Sequence, residues 1–336
     1  MKYREDIPYI IRDFLTYHET IKGHSQKTVD EYYLDLRTFF RFLKLKRGLV
    51  SQNTEFDHID ISDVDISFIK SVSLTDVYDF LSYLSREREK HPNSPHSGYG
   101  LTAASRARKV ATIRSFYKYL TLKAGILDEN PVQNLDSPKL KKSLPRYLTE
   151  SESIDLLQSV DGPNKERDYC ILTLFLNCGL RISELINLNI TDIREDSLRV
   201  EYGKGGKVRI LYLNDACREA LDSWLNVRKT IQVTNPAAKN ALFISRQNSR
   251  ISKSAVHLLV KKYILAAGLD GSKYSAHKLR HTAATLMRKS GVDVRTLQEV
   301  LGHENLNTTQ IYTHVDNSDI RAATESNPLA KVRIKK

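Results

Sequence analysis

The stretch ENPVQNLDSPKLKKSLPRYLTESES, residues 129–153, limits this chain more than any other. Pro131, Pro138 and Pro145 fall seven residues apart, and none of them can sit inside a helix, because proline lacks the amide donor and its ring crowds the preceding turn. Helical spacing fills the sequence on both sides, so the stretch divides the chain into two parts. At 336 residues each part is long enough for a core of its own. The same stretch carries Lys139, Lys141, Lys142 and Arg146, an extended basic run suited to following a phosphate backbone. Beyond it Thr149 or Ser151 offers a cap for a new helix. The expected division is 1–128, a linker 129–147, and 148–336.

The first part reads as helices. IPYIIRDFLTYHETI and HSQKTVDEYYLDLRTFFRFLKLKR place apolar residues three and four apart. In the second segment Ser25 or Thr28 is the expected cap, and Tyr32, Leu36, Phe39, Phe40 and Leu43 the buried face. Residues 46–75 turn irregular and acidic, as a loop or small insertion that is either neutral or meets a partner. LTDVYDFLSYLSREREK predicts a third helix, stopped by HPNSPHSGYG. TAASRARKVATIRSFYKYLTLK predicts a fourth. It interleaves Arg106, Arg108, Lys109, Arg114 and Lys118 with Phe116 and Tyr117, a pattern that fits a solvated basic face or a nucleic-acid contact.

Composition narrows the partner. The formal charge of +12 favours a polyanion over a neutral surface. With 40% hydrophobic and 27% charged residues the chain is expected to fold rather than stay disordered. Cys170, Cys178 and Cys217 show no CxxC or zinc-finger spacing, which suits a reducing compartment. MKYREDIPYIIRDFL interrupts its apolar run with charges, unlike a secretory signal. No stretch reaches the ~18 consecutive apolar residues of a membrane span. A soluble, cytoplasmic protein with no membrane partner is expected.

The second part holds cations and imidazoles where packing does not ask for them. In NCGLRISELINL a helix is expected to stop at Gly179 and another to begin at once, setting Arg181 near a helix N-terminus. That end of a helix dipole disfavours a cation, so a nearby anion would account for it. Glu184 lies one turn on, and a plain surface pair with Arg181 is the competing reading. SLRVEYGKGGKVRILYL alternates on both sides of a glycine-rich tip, a hairpin with Lys204 at its turn and no P-loop spacing. In SAHKLRHTAATLM, His277, Arg280 and His281 fall three and four apart on one helical face. A His277–His281 zinc pair lacks a third ligand in sequence. Last, LGHENLNTTQIYTHV holds His303 nine residues ahead of Tyr312.

One chemistry uses two arginines, a lysine, two histidines and a tyrosine. Guanidinium groups meet the non-bridging oxygens of a phosphodiester in pairs and stabilise charge at phosphorus without a metal ion. Surrounding cations favour a phenolate, which at an ordinary pKa of about 10 is otherwise scarce at neutral pH. Attack by tyrosine conserves the bond as a phosphotyrosine, so a strand can be rejoined without ATP. Lysine can protonate the leaving 5′ oxygen, and histidine can move the phenolic proton.

GLRISEL, GKGGK, HKLRH, LGH and a tyrosine nine residues on, in that order, resemble the tyrosine recombinase family, and the Xer-type members in particular. SQKTVDEYYLDLRTFFRFL resembles the opening of that family's core-binding domain, and ENPV…PKLKKSLPRYLTESE its linker. The resemblance implies a mainly α, two-domain clamp that closes on DNA like a C, with a small β-hairpin or sheet in the catalytic half. It implies that Arg181 and Arg280 clamp the scissile phosphate, with His303 donating a third hydrogen bond. Lys204 is then the general acid, with Lys207 ranked second. His277 assists proton transfer, Tyr312 is the nucleophile, Glu184 supports the first arginine, and His281 is structural. No metal and no cofactor are implied. The partners implied are a double-stranded recombination site and a homotetramer around a Holliday junction, with a second recombinase or a translocase activator left open. The tail SNPLAKVRIKK resembles the segment that the family docks onto a neighbouring protomer; a basic end touching phosphate is the alternative. The resemblance implies no additional arm-binding domain of the larger phage integrases, and so favours recombinases that need only a core site. Chromosome-dimer resolution is the leading expectation. An integrase or excisionase of a mobile element, and a DNA-binding regulator that does not exchange strands, are the alternatives.

Overall fold

The apolar spacing near the start becomes helix α1 (Tyr9–Thr16), which passes directly into a π-helical turn at Tyr17–Ile21. The computed structural model describes residues 7–51, 53–90, 98–139, 146–202, 207–302, 321–322 and 324–332, and the chain separates into two units, Met1–Lys142 and Ser143–Lys336.

In the first unit, Ser25 accepts from the Thr28 amide and opens α2 (Gln26–Lys46). Its buried face is Val29, Tyr33, Leu36, Phe39, Phe40 and Leu43; Tyr33 takes the fully packed place expected for Tyr32, which is only half-buried. A short α3 (Ile66–Lys70) precedes α4 (Leu74–Arg86), whose start is fixed by a reciprocal capping box between Ser73 and Asp76. β1 (Glu89–Lys90) and β2 (Gly98–Tyr99) form a two-residue antiparallel pair that was not expected from sequence. Thr102 then caps α5 (Ala103–Leu122). These helices enclose an aromatic core in which Phe14 meets Phe116 edge-on at 5.3 Å and Phe39 meets Phe80 at 5.1 Å. Such rings each contribute roughly 1.5–3 kcal/mol through burial. Leu127, Val132 and Leu135 complete that core from the chain beyond α5.

The acidic stretch after α2 folds back on the basic end of that helix. Lys44 donates to both Asp63 oxygens at 2.7 and 2.8 Å and to the Asp60 carbonyl at 2.9 Å. Lys46 and Arg47 both reach Asp76. Part of the charge in this stretch, that of Asp63, is thus paired within the unit.

The second unit begins with α6 (Glu150–Gln158), capped by a Thr149–Glu152 box. α7 (Lys165–Cys178) is buried from Asp168 onward on every face, and so forms the centre of the second core. After α8 (Ile182–Asn187), β3 (Ser197–Tyr202) pairs antiparallel with β4 (Lys207–Tyr212), from Ser197 opposite Tyr212 to Tyr202 opposite Lys207. The helices α9 (Asp215–Thr230), α10 (Lys253–Ala266), α11 (Ala276–Lys289) and α12 (Val294–Leu301) follow. The fold is mainly helical with a small hairpin, as the sequence indicated.

The described part of the tail packs on its own unit. Leu329 is fully buried in the second core, Asn327 donates to the Leu176 carbonyl at 2.8 Å, and Tyr169 donates to that of Val332 at 3.3 Å. In the single chain these residues occupy the core of their own unit. Residues 333–336 lie outside the described residues, as do 91–97 of the expected breaker segment.

Candidate active site

α7 stops at Gly179, which takes left-handed backbone (φ +58°), and Arg181 holds the N-cap position of α8 in extended backbone. Glu184, one turn into α8, reaches back to accept the Arg181 amide at 2.8 Å and its Nη1 at 2.8 Å. The competing reading, a pair between Arg181 and Glu184, is thus present in the structure. Glu184 is no surface partner, being only 5% exposed.

Two further guanidiniums converge on that carboxylate. Arg209, on β4, lays its fork across it, with Nη1 and Nη2 at 3.0 and 2.9 Å from the two oxygens. Arg280, on α11, stands 3.7 Å away. Burial alone would raise the Glu184 carboxyl, but the Arg209 fork and the Arg181 contacts outweigh it and hold the group below the usual range. Arg280 is buried, and its desolvation and the neighbouring Arg181 push it down to about 10, against the pull of Glu184. It remains charged at neutral pH.

The same three arginines hold the end of α12. Arg209 Nε donates to the Val300 carbonyl at 3.0 Å, Arg280 Nη2 to Leu301 at 2.6 Å, and Arg181 Nη2 to Gly302 at 2.8 Å. These carbonyls are the unpaired acceptors and the negative pole of the helix, so cations stabilise it there. Gly302 closes the helix with φ +62°, and a Cβ at that position would lie 2.8 Å from Arg209 Nη1. His303 follows directly.

His277 lies in the first turn of α11, one turn from Arg280, with its ring edge-on to His281 at 5.5 Å between centroids. Desolvation, then His281, Arg280, Lys278 and Arg181, hold its pKa below the usual imidazole value. At neutral pH it is a neutral proton acceptor. Of the residues picked out in sequence, the structure brings together Arg181, Glu184, His277 and Arg280. Lys204, His303 and Tyr312 lie outside the described residues. Their attachments are described: the β3–β4 stem flanks 203–206, and α12 leads into 303.

Sequence reasoning missed Arg209. A signal was present: in KVRILY the alternation puts Arg209 on the same strand face as the fully packed Leu211, and an inward cation needs buried acceptors, of which a carboxylate is one.

The model described as "Phage integrase family" matches residues 146–319, and that described as "Phage integrase, N-terminal SAM-like domain" matches 11–124. The chain belongs to the phage integrase family of tyrosine recombinases. Tyrosine recombinase XerC of Caldanaerobacter subterraneus subsp. tengcongensis is 54% identical to it over 325 residues, covering 96% of this chain and 88% of that one. Tyrosine recombinase XerC of Thermodesulfovibrio yellowstonii is 35% identical over 339 residues, covering 96% and 97%. The fold of this chain resembles that of XerH site-specific recombinase bound to difH substrate, with TM-score 0.60, 23% identity, and coverage of 93% of this chain and 83% of that one. As a tyrosine recombinase the protein is a DNA strand-transferring enzyme.

The recombinase's basic helix α5 sorts its cations by burial. Arg114 and Lys118 are exposed, one turn apart. Arg108 is half-exposed, paired to Glu31 at 2.5 Å and to the fully buried Asp35 at 2.8 Å, and Arg106 donates to the Ser85 hydroxyl. Lys109 corrects the sequence reading: it is buried and donates to Asp35 at 2.7 Å, so it serves the core and is out of reach of a phosphate. Lys139 is exposed, and Lys141 and Lys142 lie outside the described residues. No helix among the described residues is long and apolar enough to cross a membrane.

Proposed function

We propose that this recombinase breaks and rejoins DNA at one chromosomal site to resolve chromosome dimers. It would do so in the cell interior, as four protomers around a Holliday junction, with 1–128 as the core-binding part, 129–147 as linker and 148–336 as the catalytic part. The observation that carries the phosphoryl chemistry is the convergence of Arg181, Arg209 and Arg280 on the single carboxylate of Glu184. One carboxylate cannot neutralise three guanidiniums. The most exposed of them, Arg181, is 38% accessible in its side chain, where a phosphate can reach it.

Arg181 and Arg280 take the non-bridging oxygens, and His303 donates to the same group. Tyr312 Oη attacks phosphorus: the Oη–P bond forms, the P–O5′ bond breaks, and the pair stays on O5′. His277 accepts the phenolic proton, and Lys204 supplies one to O5′. The 3′-phosphotyrosine keeps the bond energy for the return attack by a 5′ hydroxyl, so neither ATP nor a metal ion enters the scheme. Exposed Arg114, Lys118 and Lys139, with Arg106, Arg108, Lys141 and Lys142, supply backbone contacts; Lys109 is excluded. The Caldanaerobacter relative, a XerC recombinase by name, supports the Xer-type reading on which chromosomal action rests.

The test is trapping in cells. Cells are denatured, DNA covalently bound to this protein is recovered and sequenced, and a Tyr312→Phe strain is run in parallel. One Tyr312-dependent peak near the replication terminus is expected. Peaks at the ends of an inserted element would move the reading to an integrase. No adduct, where a control recombinase gives one, would leave a DNA-binding regulator.

A further inference from the structure

We propose that Arg209 is a positioning residue of the strand-transfer site: it fixes the phosphate clamp and the end of α12 in one register. The inference rests on the recombinase reading above and adds to it a residue that does not touch phosphate. The Arg209 side chain is only 8% exposed, against 38% for Arg181, so it faces the protein and not the DNA.

Three parts of the chain meet at Arg209. Its Nη1 and Nη2 hold both oxygens of Glu184, the carboxylate that also orients Arg181 and stands against Arg280. Its Nε holds the Val300 carbonyl at 3.0 Å, two residues before Gly302. Its own strand, β4, begins at Lys207, directly after the segment 203–206 that carries Lys204 in sequence. The planar fork of arginine makes all three bonds at once, whereas a lysine ammonium cannot span two carboxylate oxygens and a carbonyl in that geometry. The left-handed turn at Gly302 is seated against the same guanidinium, with room for hydrogen and none for a methyl group. Arg209 thus sets where α12 ends, and hence where the segment carrying His303 and Tyr312 starts.

The experiment is single-turnover trapping of the phosphotyrosine by full-length wild type and Arg209→Lys. Both are given a nicked duplex bearing the sequence that wild type recovers in cells. A second duplex carries a methylphosphonate at the scissile position; with one negative oxygen fewer, it asks less of the clamp. The Arg209→Lys variant is expected to bind the duplex within about twofold of wild type and to form adduct about 100-fold more slowly, the scale of a misplacement near 1 Å. On the methylphosphonate duplex that deficit should shrink at least tenfold. A purely structural role would lower both rates equally, and that result overturns the proposal, as does wild-type speed on the ordinary duplex. If Arg209→Lys does not fold, Arg209→Gln takes the same test with the same expected outcome. Wild type forming no adduct would instead overturn the recombinase reading and this proposal together.

Discussion

Glu184 shows how one side chain sets the state of a site. It sits among three guanidiniums, and its carboxyl is held below its ordinary 4.5 despite burial. A carboxyl with a depressed folded pKa stabilises the fold above its unfolded pKa, and that contribution is lost as pH falls through the folded value. Glu184→Gln should therefore destabilise the second unit by about 3–5 kcal/mol at pH 7, the cost of breaking a buried pair from one side. The gap to wild type should narrow as the pH falls below about 4.5. Urea melts at pH 7 and pH 4 measure it, and a gap that does not change with pH would mean the carboxyl is not charged. At His277 the same downward shift favours the neutral form instead. Because its pKa is lowered, it stays neutral and able to accept a proton to more acid pH than an ordinary imidazole. The single-turnover cleavage rate should hold level as pH falls through 6.5 and decline only below it, and His277→Gln should lose that acid limb.

At the scale of elements, the site is an agreement between a helix stop and a helix end. α7 terminates at Gly179 because a left-handed residue closes it, and the space thereby left is filled by α12: a Cβ at Gly179 would lie 2.7 Å from Leu301 Cδ2. Gly268 has a similar φ (+72°) with nothing within 4 Å. Gly268→Ala should cost only the left-handed strain, about 1–2 kcal/mol. Gly179→Ala should cost that plus overpacking of roughly 1–3 kcal/mol. It should also slow adduct formation, since α12 carries the carbonyls that the arginines hold. Equal melts for the two variants would show that α12 does not rest on Gly179.

For the whole molecule, the net charge of +12 makes DNA affinity fall with salt, but not every cation contributes. Removing Arg114 or Lys118, both exposed on α5, should weaken binding and reduce the slope of log K against log salt by about 0.9 each, one phosphate contact apiece. Lys109→Met should leave that slope unchanged while lowering stability, because it strips the buried Asp35 of a partner. Fluorescence anisotropy over a salt series separates the two. A changed slope for Lys109→Met would return that residue to the DNA-facing set.

What the sequence by itself determined is local. The Ser25 and Thr149 caps, the proline breaks, the alternation of β3 and β4, and the halt at Gly179 with Arg181 beside it all depend on residues within a turn or two of one another. Five motifs in order were enough to place the chain in its family. What only the tertiary structure decided is which partner each cation meets. Arg209 finds Glu184 across 25 positions, Arg181 finds Gly302 across 121, and Lys109 finds Asp35 across 74. On a strand or an interleaved helix a cation is equally consistent with water, a phosphate or a buried carboxylate. The choice belongs to the burial that long-range packing imposes, since a charge withdrawn from water must be paired where the fold leaves it.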